Sequence, residues 1–157
     1  MRHTISVLVE NHFGVLARVA GLFSGRGFNI SSLSVGETEA PDISRMTLVV
    51  EGDDAVVEQI KKQLNRLVEV LKVVDLAQMD HVGRELALVK VNAEKRNRSE
   101  IIELVDIFRA GIIDVSPKSM TIEVTGPEEK VAALIKMLKP FGIREMARTG
   151  RVALPRA

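Results

Sequence analysis

The chain has 157 residues and contains no cysteine, tryptophan or tyrosine. Without cysteine there are no disulfide scaffolds, thiolate metal sites or thiol nucleophiles. No apolar run approaches the roughly 20 residues that a membrane-spanning helix needs. Met1-Arg2-His3-Thr4 leads into an alternating segment rather than the apolar block of a secretory signal, so a cytoplasmic protein is expected. An excess of charge of one sign is also missing: 22 Lys and Arg against 21 Asp and Glu leave a net charge of +1, which argues against a dedicated nucleic-acid binder. The five phenylalanines, at positions 13, 23, 28, 108 and 141, are too scattered for an RNA-stacking sheet, although Arg26-Gly27-Phe28 echoes the start of such a motif. There is no phosphate-binding loop or dinucleotide fingerprint, and Gly21, Gly25 and Gly27 read as helix terminators. His3, His12 and His81 are not spaced for a metal, so no catalytic residue and no metal ligand is assigned.

What the chain does have is 46% hydrophobic residues, enough for packed cores. Their periodicity gives an order of elements. A strand at residues 3–10 precedes a helix at 14–26, in which Val15, Leu16, Val19, Leu22 and Phe23 share one face. Strands at 29–36 and 44–51 follow, the second alternating through Met46, Leu48 and Val50. Asp53 is placed to cap a second helix striped by Val56, Val57, Ile60, Leu64 and Leu67, and a strand at 69–78 closes the unit. The order repeats. A strand at 85–93 precedes a helix carrying Ile101, Ile102, Leu104, Val105 and Phe108, opened by an Asn97/Glu100 capping box and ended by Gly111. Strands at 112–115 and 119–125 come next, then a helix with Pro127 in its first turn, then a strand at 143–147. The fold class expected is α+β: two ferredoxin-like βαββαβ modules, residues 1–80 and 81–157, each an antiparallel sheet with helices on one face. The first carries a net charge of −3 and the second +4.

The junction Asn11-His12-Phe13-Gly14-Val15-Leu16 stands out, because a strand turns there directly into a helix through a glycine. Glycine lets a ligand approach the backbone, and a helix start offers unpaired N–H groups to a carboxylate. With an amide before it and aliphatic residues after it, the junction suits a small zwitterion such as an amino acid. A turn that uses Gly and Asn only for its geometry has the same sequence, and His12 also reads as an exposed turn residue. The corresponding stretch of the second module, 92–99, is longer, charged and without glycine, which disfavours a small-ligand site there.

Several segments together carry a resemblance: Ser6-Val7-Leu8-Val9-Glu10-Asn11, Gly14-Val15-Leu16-Ala17-Arg18-Val19, Arg26-Gly27-Phe28-Asn29-Ile30-Ser31-Ser32-Leu33, Ser44-Arg45-Met46-Thr47, Ile112-Ile113-Asp114-Val115 and Glu123-Val124-Thr125-Gly126. The first module resembles an ACT domain, and the chain from residue 2 to about 154 resembles the small regulatory subunits of acetohydroxyacid (acetolactate) synthase. The resemblance implies a non-catalytic subunit that activates a catalytic subunit and confers feedback inhibition by valine or another branched-chain amino acid. It implies no cofactor in this chain, with thiamine diphosphate, Mg and FAD on the catalytic subunit. It further implies a homodimer through the ACT domains and no nucleic-acid or membrane partner. Asn11, His12, Phe13, Gly14, Val15 and Leu16 would hold the effector, and Asn29 and Ile30 would come from the partner chain. The sequence departs from many relatives at Phe13, where they have proline. A stand-alone amino-acid-sensing ACT protein acting on another partner is the alternative.

Overall fold

Residues 2–157 are described by a computed structural model. They fall into two units: residues up to Val82 together with Arg151–Ala157, and Gly83–Gly150.

In the first unit, β1 (Arg2–Glu10), β2 (Ile30–Glu37), β3 (Ile43–Glu51) and β4 (Val70–Asp75) form a sheet in the order β2-β3-β1-β4. Helices α1 (Val15–Arg26) and α2 (Asp54–Asn65) complete the βαββαβ order. Alternation puts Ile5, Val7 and Val9 of β1 and Met46, Leu48 and Val50 of β3 on one face. Val15, Val19 and Phe23 of α1 and Val57, Ile60 and Leu64 of α2 pack onto them, and all twelve side chains are buried. Each of the larger ones contributes on the order of 2 kcal/mol by leaving water. Asp53 caps α2, its side chain accepting from the Val56 amide at 3.0 Å.

In the second unit, β5 (His81–Asn92, in this unit from Gly83 on), β6 (Gly111–Val115), β7 (Ser119–Gly126) and β8 (Ile143–Arg148) run in the order β6-β7-β5-β8. Helices α3 (Arg98–Ile107) and α4 (Glu128–Leu138) cover the face bearing Ala87, Val89, Val91, Met120, Ile122 and Val124. Both units therefore have the antiparallel ferredoxin-like arrangement.

The structure departs from the sequence expectations at several points. The fourth strand ends at Asp75 rather than at 78. The Asp75 side chain accepts from the Ala77 amide at 3.0 Å, and Leu76–Gln78 forms a single 3-10 turn that buries Leu76. Of the three early glycines only Gly27 ends a helix, in the left-handed conformation (φ 69°); Gly21 and Gly25 lie inside α1. Asn97 stands at the N-cap of α3 but makes no side-chain cap bond, and its Oδ1 is buried without a partner among the described residues, so the expected capping box does not form. Helix α3 ends at Ile107 through Arg109, which takes φ 53°, and Gly111 opens β6 instead of closing the helix. Pro127 is the N-cap residue of α4, one position before its first turn. In space Arg151–Ala157 groups with the first unit, where Arg151 Nη1 donates to the buried Thr4 Oγ1 at 2.7 Å and the Arg156 amide donates to the Asp80 carbonyl at 2.9 Å. This tail forms an unforeseen strand, β9 (Val152–Pro155).

Candidate functional site

Residues 11–14 link the end of β1 to the start of α1. Gly14 takes φ 88°, which L side chains rarely adopt, and it serves as the N-cap of α1 with no side-chain cap bond. The first turn of α1 contains no acidic residue, so no carboxylate of that turn offsets the positive end of the helix dipole. A Cβ built on Gly14 would meet nothing within 4 Å, so the loop is open at that point.

Asn11 is fastened to the connection between β2 and β3. Its amide donates to the Asp42 carbonyl at 2.7 Å, and its Nδ2 donates to the Pro41 carbonyl at 2.9 Å and to Glu37 Oε1 at 3.3 Å. His12 is exposed, with Nε2 2.9 Å from Glu10 Oε2 and Nδ1 3.4 Å from the Phe13 carbonyl. The Glu10 side chain, foremost, and then the Phe13 carbonyl raise the His12 pKa above its ordinary value of 6.5. Phe13 is fully exposed and Leu16 about half exposed.

The expected site is thus assembled in part. Asn11, His12, Phe13, Gly14 and Leu16 share one open loop. Val15 does not line it, because its side chain lies in the core one turn before Val19, leaving only its backbone to the loop. Asn29 and Ile30 stand at the far end of the unit. Register places Glu10 opposite Ile43, whereas Ile30 lies opposite Val50, and Arg2 pairs with the neighbouring Glu51. Asn29 accepts the Glu51 amide at its carbonyl. The 12 residues of α1 span about 18 Å between the two groups.

Sequence reasoning missed three features of this loop. Glu37 and Pro41 hold Asn11 from 26 and 30 residues away. Glu10 pairs with His12. Arg18, at the end of the first turn of α1, pairs with Glu69 from 51 residues away. The Glu10–His12 spacing of two was visible but is uninformative alone; the others leave no local signal. In the second unit, the corresponding strand end is occupied by an arginine, whose Nε (Arg144) donates to Asn92 Oδ1 at 2.5 Å. No group of three or more His, Asp or Glu side chains among the described residues could hold a metal ion.

Comparison with known proteins gives a separate family match for each half of the chain. Residues 5–72 match the family model described as an AHAS small subunit-like ACT domain, and residues 84–157 match the one described as the small subunit of acetolactate synthase. The probable acetolactate synthase small subunit of Archaeoglobus fulgidus is 60% identical over 156 residues, covering 99% of this chain and 98% of that protein. This chain belongs to the acetolactate synthase small-subunit family. The acetolactate synthase small subunit of Mycobacterium bovis is 58% identical over 154 residues, which is 98% of this chain and 92% of its own length. The crystal structure of the small subunit from Thermotoga maritima superposes with a TM-score of 0.92 at 48% identity, covering 100% of this chain and 98% of that one. The first unit therefore carries the ACT domain of this family. No helix among the described residues is long and apolar enough to cross a membrane.

Proposed function

We propose that this small subunit is the non-catalytic regulator of acetolactate synthase. It binds the catalytic subunit, raises its activity, and makes it sensitive to feedback inhibition by a branched-chain amino acid, with valine as the reference effector. Thiamine diphosphate, Mg and FAD belong to the catalytic subunit. The observation that supports an effector site at residues 11–16 is the uncapped start of α1 behind an open, left-handed Gly14. A ligand carboxylate takes the N-terminal amides, where the helix dipole favours an anion. Both Asn11 Nδ2 hydrogens are engaged within the protein, so Asn11 meets a ligand through its carbonyl oxygen, an acceptor for the α-ammonium. Leu16 offers apolar surface to the side chain.

Asn29 and Ile30 reach this loop only from a second copy, because about 18 Å of helix separates them from it within one chain. The reading therefore requires a dimer of ACT domains with the effector bound between protomers. Inhibition follows if the effector binds one arrangement of the assembly better than another, and a coupling of about 1–3 kcal/mol is sufficient. The net positive second unit takes part in holding the catalytic subunit.

Gly14→Asp tests the site. Asp tolerates left-handed backbone better than most residues, and no atom lies within 4 Å of the new Cβ, so the fold survives at a cost of about 1–2 kcal/mol. Its carboxylate repels the ligand's own. Calorimetric titration with valine, leucine and isoleucine, lysine serving as control, is expected to show saturable branched-chain binding that the variant loses. Retained affinity in folded Gly14→Asp would refute the location. Co-purification of a thiamine-dependent catalytic subunit, and its loss of valine sensitivity with Gly14→Asp, tests the assignment as a whole.

A further inference from the structure

We propose that Glu69, which lies outside the effector loop, is the positioning residue that sets the geometry of that loop; this rests on the effector reading above. Glu69 touches both flanks of residues 11–14 through different atoms. Its backbone carbonyl accepts the amide of Glu10, the last residue of β1, at 2.9 Å. Its carboxylate oxygen Oε1 pairs with Arg18 Nη1, and the Arg18 amide donates to the Gly14 carbonyl at 3.0 Å. One residue at the foot of β4 therefore fixes where the strand ends and where the helix begins.

Asn11 ties the strand side of the loop to the β2–β3 connection, but no side chain of the loop caps the helix side. Gly14 provides no side-chain cap, and the first turn of α1 has no acidic residue to hold the free amides. Glu69 is also costly in a way that stability alone does not explain. Its side chain is 5% exposed, while the Arg18 side chain is 59% exposed, so the pair is a buried anion held by a largely solvated cation. The second carboxylate oxygen, Oε2, is buried with no hydrogen-bond partner among the described residues. A buried ion pair contributes little net stability compared with a neutral replacement, and a half-satisfied carboxylate contributes less. What the pair does supply is direction. A bond from a buried, immobile carboxylate to the first helical turn limits how far α1 can slide or rotate, and hence where its N-terminal amides point. The negative charge is also sensed inside the loop, where Glu69 is among the groups that favour protonation of His12.

The test compares Glu69→Gln, which keeps the shape and removes the charge, with Glu69→Asp, which keeps the charge, both in the full chain. Amide hydrogen exchange at residues 15–18 is measured without ligand, and valine affinity is measured by calorimetry. The expected result for Glu69→Gln is faster exchange at the start of α1 with α2 unchanged, together with a valine affinity roughly tenfold weaker, the low end of what loss of an orienting partner costs. Glu69→Asp is expected to recover part of both. Unchanged exchange in Glu69→Gln would overturn the proposal, as would unchanged affinity despite faster exchange. Tighter binding would also overturn it, because Arg18 would then be a direct partner of the ligand carboxylate that Glu69 had been competing for. A wild-type chain that binds no branched-chain amino acid would refute the effector reading instead, and the exchange measurement would still decide whether Glu69 holds the loop.

Discussion

His12 is the residue at which pH reaches the proposed effector loop. The Glu10 carboxylate, 2.9 Å from Nε2, and the Phe13 carbonyl both favour the protonated ring, so His12 stays charged above its ordinary value of 6.5. A folded-state pKa that is raised means that the favourable interaction is complete below 6.5 and is lost as pH rises through the raised value. The same sign holds for a bound carboxylate, since an imidazolium beside the start of α1 attracts it. Valine affinity is therefore expected to be level below 6.5 and to fall as pH rises from there through the raised value in the wild type, and to be flatter in His12→Gln. Calorimetry across that range checks both, and equal slopes in the two proteins would place the titrating group elsewhere. The open junction at Asn11 and Gly14 was legible because a glycine at a strand-to-helix junction is a local signal. The burial of the Val15 side chain was not legible, because a single helical face carries both core and loop residues and only packing separates them.

Among the elements, the caps and tight turns give the sharpest predictions. Asp53→Ala removes the bond to the Val56 amide and is expected to destabilise the first unit by about 1 kcal/mol, read as a lower denaturant midpoint with unchanged slope. Gly142, at φ 94°, leads into β8, and a Cβ there would lie 2.4 Å from Asn92 Nδ2. Gly142→Ala combines left-handed strain with displacement of Asn92, the side chain that receives Arg144. A loss of about 1–3 kcal/mol is expected, measured by thermal unfolding; an unchanged midpoint would mean that the Asn92 side chain gives way freely. Helices and strands were readable wherever 3.6- or 2-residue periodicity ran for several turns or pairs, as in α2 and β3. Their ends were not, because Asp75, Arg109 and Gly111 act through hydrogen bonds and backbone angles that periodicity does not register.

For the molecule as a whole, the return of the C-terminus matters most. Arg151 donates to the buried Thr4, and the Arg156 amide bonds to Asp80, so the last residues complete the first unit although they follow the second. Removing residues 151–157 is expected to cost the first unit about 1–3 kcal/mol through the charged hydrogen bond alone. It is also expected to raise amide exchange along β1, whereas β7 in the second unit keeps its protection. Equal protection of β1 with and without the tail would contradict this. A truncation at residue 80 keeps the residues matched to the ACT domain but leaves out the tail that groups with the first unit.

The sequence by itself determined the helices and strands of the two βαββαβ modules, their order, their repetition and the apolar faces that form the two cores, because burial imposes a period on neighbouring residues. Only the tertiary structure decided which distant groups meet. Glu69 came to Arg18, Pro41 to Asn11 and Arg151 to Thr4 through sheet order and register, and the same register set Asn29 at the end of the unit opposite to Gly14. Those pairings depend on where whole segments cross in space, and a contact between residues dozens of positions apart leaves no periodic trace in the chain.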